Sequence, residues 1–301
     1  MISFQDIRQT LVRDDGVHIA YWQHRAPASR GVLLFIHGAA SNHTRFSEFL
    51  KRTVLTSTWD TLRLDLRGHA LSVNRGVIDI EAWCADLRAL LDAGGYTQAV
   101  LVGHSLGANV AVHFAQRHAA RVAGLILIDP AQAQAMRWSL PRGVTRNLLR
   151  GAASAVRLCN AAGLHRRELP ALDLEQLDQH ARVLLAQGRD ADMERLYSST
   201  WENLKHFPTA TFLQDVVQVL RPLPTPAPDV PALMLLSVNR HDAAASLNRA
   251  YAAGLPRCEV AEIKCNHWIL TAAPDAARTA IEEYISTLFS DGGIPPFEKG
   301  G

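Results

Sequence analysis

Cysteine is scarce in this chain. Cys84, Cys159, Cys258 and Cys265 are widely scattered, with no C-x-x-C pair and no cysteine–histidine grouping at zinc spacing. A disulfide framework and a structural zinc are therefore excluded as the basis of the fold, and free thiols of a reducing compartment are expected. Only Cys265 draws notice, because a histidine follows two residues later. An excess of one charge is also missing: 31 Lys+Arg stand against 29 Asp+Glu. That balance gives no whole-protein electrostatic footprint for nucleic acid. No run approaches 18 apolar residues, and residues 1–15 lack both the basic start and the apolar stretch of a signal peptide. Neither a membrane span nor secretion is expected, so a cytoplasmic protein is the default. What remains is 301 residues, 48% hydrophobic and 20% charged, which is enough to bury a large core without covalent or metal staples.

The hydrophobic pattern alternates. Thr10–Asp14 and Val17–His24 flank Asp15-Gly16, the turn chemistry of a hairpin. Gly31–Ile36, Thr61–Leu66, Ala99–Val102 and Gly124–Ile128 are short, nearly continuous apolar runs, as expected of strands covered on both faces. Helical spacing over Phe46–Leu55, Ile80–Leu91 and Ser105–His118 separates them, which predicts an α/β fold with a mostly parallel, twisted sheet and helices on both faces. The alternation stops at Asp129-Pro130 and resumes at Val230, with strands at ALMLLSV and Cys258–Ile263 and a last helix over Pro274–Phe289. The expected organisation is a core of residues 1–130 and 229–290, an inserted helical cap of 131–228 ending in a Pro-rich linker, and a Gly/Pro-rich tail of 291–301.

Gly103-His104-Ser105-Leu106-Gly107 lies between a short strand and a helix, the context in which G-x-S-x-G denotes a nucleophile elbow. A serine hydroxyl needs a histidine to take its proton, and that histidine needs an acid to fix its tautomer. Functional groups of α/β sheets gather at the carboxyl ends of strands. The loops after the next two strands contain Asp242 and His267, in the order Ser, Asp, His expected of such a triad. Asp129, which ends the strand GLILI at the same sheet edge, is the rival acid.

On these residues the chain resembles the α/β-hydrolase superfamily, specifically its capped carboxylesterase-like serine hydrolases. The likeness extends over roughly residues 10 to 290 and rests on Ile36-His37-Gly38-Ala39, Asp65-Leu66-Arg67-Gly68-His69-Ala70-Leu71-Ser72, the GHSLG elbow and Asn266-His267-Trp268. The resemblance implies an oxyanion hole built from the backbone N–H groups of Ala39 and Leu106. Two such donors contribute about 3 kcal/mol each to stabilising a tetrahedral intermediate. His37 is expected to brace that loop, and Arg67 and Asp86 to be structural partners. Asn42, His43, Phe46, His104 and Trp268 are candidate pocket residues, whereas Trp138, Trp201, Phe207 and Phe212 are expected mainly in the cap core.

The expected activity is hydrolysis of a small-molecule carboxylic ester through an acyl-enzyme, with no cofactor and no metal. Lactone, thioester or carbon–carbon bond hydrolysis would use the same machinery, and a hydrolase-like small-molecule receptor is the alternative from a different class. One charge asymmetry stands apart: Ala131–Arg167 holds seven arginines and no acid, with Arg142, Arg146 and Arg150 on one helical face. That face is expected either to be solvated and paired with the acidic stretch after it, or to meet an anionic lipid surface or substrate. Oligomeric state is left open.

Overall fold

In a computed structural model that describes residues 4–135, 139–225, 228–238 and 243–290, eight strands form a single sheet. In chain order the elements are β1 (Ile7–Val12), β2 (His18–His24), β3 (Val32–Ile36), α1 (Ser47–Arg52), β4 (Asp60–Leu64), α2 (Ile80–Ala93), β5 (Ala99–His104), α3 (Leu106–Arg117) and β6 (Val122–Ile128). Five helices follow: α4 (Arg142–Ala161), α5 (Leu174–Ala186), α6 (Asp190–Ser198), α7 (Thr200–His206) and α8 (Thr209–Val219). The sheet is then completed by β7 (Ala232–Ser237), α9 (Ala243–Ala252), β8 (Cys258–Ile263), α10 (Ile269–Ala272) and α11 (Pro274–Leu288).

The spatial order is β1-β2-β4-β3-β5-β6-β7-β8. β2 is antiparallel to both of its neighbours, and from β4 onward in that order the strands run parallel. The hairpin turns at Gly16, whose φ of +76° suits a residue without a side chain. Its first strand begins at Ile7, three residues before the apolar pattern suggests, because an edge strand needs no buried face to pair with β2.

Continuous apolar runs make sense once both faces of the sheet are considered. Along β3, Leu34 and Ile36 pack with Leu101, Leu125 and Met234 against Trp83 and Leu87 of α2 and Phe114 of α3. Their neighbours Leu33 and Phe35 point the other way and pack with Val100, Ile126 and Leu235 against Leu50 of α1 and Ile281 of α11. A period of two therefore divides one apolar run between two cores. Truncating any of these leucines to alanine is expected to cost about 2–5 kcal/mol. The terminal strand β8 is different, with Glu259, Val260 and Glu262 exposed, a charged edge that discourages further strand pairing.

The helices α4–α8 lie between β6 and β7, and among the described residues this stretch contains no strand. It is seated on the core by Arg45 with Asp178 of α5 (2.8 Å), by Asn42 with the Leu172 carbonyl (2.7 Å), and by His69 and Gly68 with Asp215 (2.9 Å) and Thr211 (3.2 Å) of α8. The basic residues of α4 divide between solvent and protein. Arg142 and Arg150 are exposed, whereas Arg146 and Arg157 are half-buried and Arg157 bonds Gln214 of α8. Val144, Leu148 and Leu158 are exposed on the same helix. Arg166 caps the carboxyl end of α7 through the carbonyls of Lys205 and Phe207. No helix of the described residues is long and apolar enough to cross a membrane.

Candidate active site

The elbow joins β5 to α3 by a turn that only small residues permit. A Cβ on Gly103 would lie 2.5 Å from the Gly107 carbonyl oxygen, and one on Gly107 would lie 2.1 Å from that of Ile36. Ser105 between them has φ +55° and ψ −119°, a conformation that costs a non-glycine residue about 1–3 kcal/mol. Its amide donates to the Ile128 carbonyl at 2.9 Å, tying the strained residue to β6. The hydroxyl is left at the amino end of α3, where the helix dipole favours developing negative charge.

His267 follows β8, and its Nε2 is 3.0 Å from Ser105 Oγ. Its Nδ1 is 2.6 Å from Asp129 Oδ2. A carboxylate can only accept, so Nδ1 carries the proton and Nε2 is free to accept the serine O–H. Asp129 is itself held: it is 2% exposed, with Oδ2 accepting from Ser237 Oγ (2.8 Å) and Oδ1 from the Ser237 amide (3.2 Å). It too adopts a left-handed φ, +45°. The three side chains form one line of hydrogen bonds along which a proton can leave the hydroxyl while charge on the imidazole is compensated.

Asp242, the acid expected from chain order, lies outside the described residues, and the carboxylate found on His267 is its rival, Asp129. The order Ser, Asp, His favours Asp242 only by its loop one strand before His267; Asp129 satisfies the same order, since it too follows Ser105 and precedes His267. β6 and β7 are adjacent and parallel, so their carboxyl ends open on the same edge. Ser237, which ends β7 and orients Asp129, is a contributor that sequence reading missed; its signal was a small hydroxyl residue at a strand end beside the acid.

The turn after β3 passes close to Ser105, where a Cβ on Gly38 would lie 3.2 Å from Ser105 Cβ. His37 fixes this turn. Its Nε2 accepts from the Leu66 amide (2.9 Å), so Nδ1 donates to the Gly38 carbonyl (2.8 Å). Complete burial, reinforced by the neighbouring His69, pushes its pKa down to about 3, which keeps it a neutral brace. Leu106 opens α3, a position whose N–H has no acceptor within the helix. Arg67 and Asp86 form a two-pronged buried pair (2.8 and 2.7 Å).

A cavity of about 440 Å³ opens over Ser105 and His267. The core contributes Gly38, Ala39 and Arg45; the insertion contributes Leu174, Leu196, Phe212 and Val216. Of the five candidate pocket residues, His104 and Trp268 line it. His104 is kept well below the usual imidazole pKa by burial and by His267 beside it. Trp268 stacks on Tyr197 at 5.1 Å. The other three are turned elsewhere. Asn42 caps the following turn through Thr44 and clasps Leu172, His43 stacks on Trp22 (3.4 Å) and bonds Asp65 (2.8 Å), and Phe46 is core. Phe207 is buried as expected, but Trp201 is 75% exposed and Phe212 lines the cavity; Trp138 lies outside the described residues.

Sequence reading also missed a buried cluster beside the cavity. Arg45 donates to Asp178 (2.8 Å) and Thr271 (3.0 Å), and Asp178 accepts from Tyr197 (2.6 Å) and Thr271 (2.9 Å). Asp178 and Thr271 lie 133 and 226 positions from Arg45 in the chain, so no local pattern announces the cluster. Among the described residues no group of three or more His, Cys, Asp or Glu side chains could hold a metal ion.

Comparison with known proteins accords with this architecture. The family model described as alpha/beta hydrolase fold matches residues 31–271. The sn-1-specific diacylglycerol lipase of Mus musculus is 31% identical over 102 residues, 34% of this chain and 33% of its own length. Lipase LipV of Mycobacterium tuberculosis is 34% identical over 114 residues, 37% of this chain and 41% of its own. The chain thus spans well under half the length of these curated relatives. A solved hydrolase from Pseudomonas aeruginosa superposes with a TM-score of 0.67 at 20% identity, covering 92% of this chain and 98% of that one, which is a likeness of fold. With the family pattern matched across most of its length, and with the sheet order and the elbow to accompany it, the chain belongs to the alpha/beta hydrolase family.

Proposed function

We propose that the protein is a serine hydrolase that cleaves a small carboxylic ester through an acyl-enzyme. The single observation that carries this reading is the continuous chain Ser105 Oγ–His267–Asp129, with links of 3.0 and 2.6 Å, opening on a cavity. Ser105 Oγ attacks the ester carbonyl while His267 Nε2 takes its proton. The resulting oxyanion is held by the N–H groups of Ala39 and Leu106, and Asp129 stabilises the imidazolium. The imidazolium then protonates the leaving alcohol. Water, deprotonated by the same nitrogen, attacks the acyl group, and collapse of the second intermediate releases acid and restores Ser105.

Helices α5–α8 act as a cap over this site. Leu172, Leu174, Leu177, Leu196, Phe212 and Val216 make the cavity wall mostly apolar, which suits an apolar acyl group. The lipase names of two relatives agree with such an acyl group. Repeated turnover of p-nitrophenyl esters by the wild type, with a loss of at least about 10³-fold in Ser105→Ala, is the expected result. A single slow turnover would instead favour a ligand receptor, and full activity of folded Ser105→Ala would end the reading.

A further inference from the structure

We propose that Asp215, on the inserted helix α8, is a positioning residue that sets the oxyanion turn from the cap. The inference rests on the ester-hydrolase reading and concerns how the cap takes part in it. The turn His37–Ala40 ends in a left-handed alanine, Ala40 at φ +46°, a conformation that something outside the turn must hold. Asp215 Oδ2 lies 3.4 Å from the Ala40 amide, the residue after the oxyanion donor Ala39. The same oxygen is 2.9 Å from His69 Nε2, in the Arg67-Gly68-His69 segment of the core. Both side chains are almost wholly buried, at 0 and 1% exposure. Burial alone would lower the His69 pKa, but the adjoining Asp215 charge and hydrogen bond hold it above the ordinary imidazole value, so the pair is charge-assisted.

The face of α8 that bears Asp215 also carries Thr211, one turn earlier, bonded to the Gly68 carbonyl at 3.2 Å. The adjoining strip of the same helix supplies Phe212, Val216 and Val219 to the cavity wall. One helix therefore touches both the substrate space and the oxyanion turn. The Ala40 contact, at 3.4 Å, is at the outer limit of an N–H···O bond, so a small displacement of α8 makes it or breaks it. A cap seated correctly by its substrate thereby favours the geometry that stabilises the transition state. An interaction of that kind acts on kcat more than on KM.

The test pairs substitutions at two positions on α8. Asp215→Asn keeps an oxygen for Ala40 and His69 but removes the charge, and Asp215→Ala removes both. Thr211→Val removes the neighbouring cap-to-core bond without touching the turn. The expected result with a p-nitrophenyl ester is a kcat loss of about tenfold for Asp215→Asn and about 100-fold for Asp215→Ala, with KM within about twofold, the range in which one oxyanion donor is weakened or lost. Fluorophosphonate labelling of Ser105 should slow in parallel. Thr211→Val should lower Tm yet leave kcat within about twofold. If Asp215→Asn, folded by circular dichroism, keeps wild-type kcat and labelling rate, or if the Thr211 and Asp215 variants lose kcat only in proportion to Tm, Asp215 is a structural clasp and the proposal is overturned. Those outcomes leave Ser105→Ala inactive, so they are distinguishable from failure of the hydrolase reading itself.

Discussion

The carboxyl edge of the sheet and the inserted helices border the same cavity, yet they tolerate change very differently. At the edge, Gly103 and Gly107 have backbone where a side chain would begin, Ser105 and Asp129 are held at positive φ, and His37, Asp129 and Ser237 are buried with their polar groups bonded. In the insertion, α4 buries only Ala153 along twenty residues and leaves Val144, Leu148 and Leu158 exposed. Reaction geometry therefore depends on parts that admit almost no substitution. The outer helix α4, which does not line the cavity, can be repacked at small cost to the core, whereas the substrate space is bordered by α5–α8, of which α8 is far better buried than α4.

The comparison breaks most severely at Gly107. Gly107→Val is expected to yield no soluble, folded protein, as judged by circular dichroism and gel filtration, because even a Cβ would lie 2.1 Å from the Ile36 carbonyl oxygen. A glycine in the insertion offers the contrast: at Gly151 on α4 nothing lies within 4 Å of where a Cβ would stand, and Gly151→Ala should leave Tm equal or slightly raised.

Next in size is the acid. Asp129→Asn should lower kcat/KM by about 10³- to 10⁴-fold with the fold intact, since the amide no longer fixes the His267 tautomer. Asp242→Asn should cost less than about tenfold. The reverse ranking would return the acid to the loop after β7.

Acid pH sharpens the same contrast through stability. His37 is depressed to about 3 and His113 to about 4, and His104 and His118 are also lowered, in every case chiefly by burial. Unfolded histidines titrate near pH ~6.5, so below that pH the unfolded state binds protons that the folded state refuses, and stability falls as pH drops from about 6.5 toward 4. The sign is opposite for His69, whose raised value contributes stability below about pH 6.5 that is lost at higher pH. The depressed histidines outweigh the raised one, which predicts a lower Tm at about pH 5 than at about pH 7.5. His37→Gln should flatten that slope, and an unchanged slope would count against the neutral brace.

Smaller effects belong to the cap. Phe212→Ala should raise KM for a long-chain acyl ester by about tenfold, near 1.4 kcal/mol, while changing an acetate ester little. Equal losses on both would place Phe212 outside acyl recognition. Least of all, Cys84 and Cys265, whose thiols burial pushes up to about 12, should resist iodoacetamide at about pH 7.5.

The regions also differ in how much the amino-acid sequence discloses. β3, β5, β6 and β7 were legible because strands buried on both faces must be apolar throughout, and the elbow was legible because its two glycines are required by backbone approach. Ser105 and His267 follow from that frame. The acid was ambiguous because Asp129 and Asp242 both follow strands that open on one edge; Asp129 bonds His267 at 2.6 Å, and Asp242 lies outside the described residues. The cavity was least legible: Asn42, His43 and Phe46 looked available beside the oxyanion loop, but Asn42 is spent on Leu172, 130 residues away, and His43 on Asp65, 22 residues away. Amphipathic spacing in α4 disclosed a helix but not its orientation, and its arginines part company there, with Arg142 and Arg150 outward and Arg157 turned to Gln214 of α8.

The central claim is that Ser105 carries the acyl group between two half-reactions. Its most direct test is acid quenching of the enzyme during the first turnovers of a p-nitrophenyl ester, followed by peptide mass spectrometry. The account predicts an added acyl mass confined to the peptide containing Ser105, absent in Ser105→Ala, which should also release no burst of p-nitrophenol. An adduct on another residue, or steady turnover by the folded Ser105→Ala protein, would contradict it.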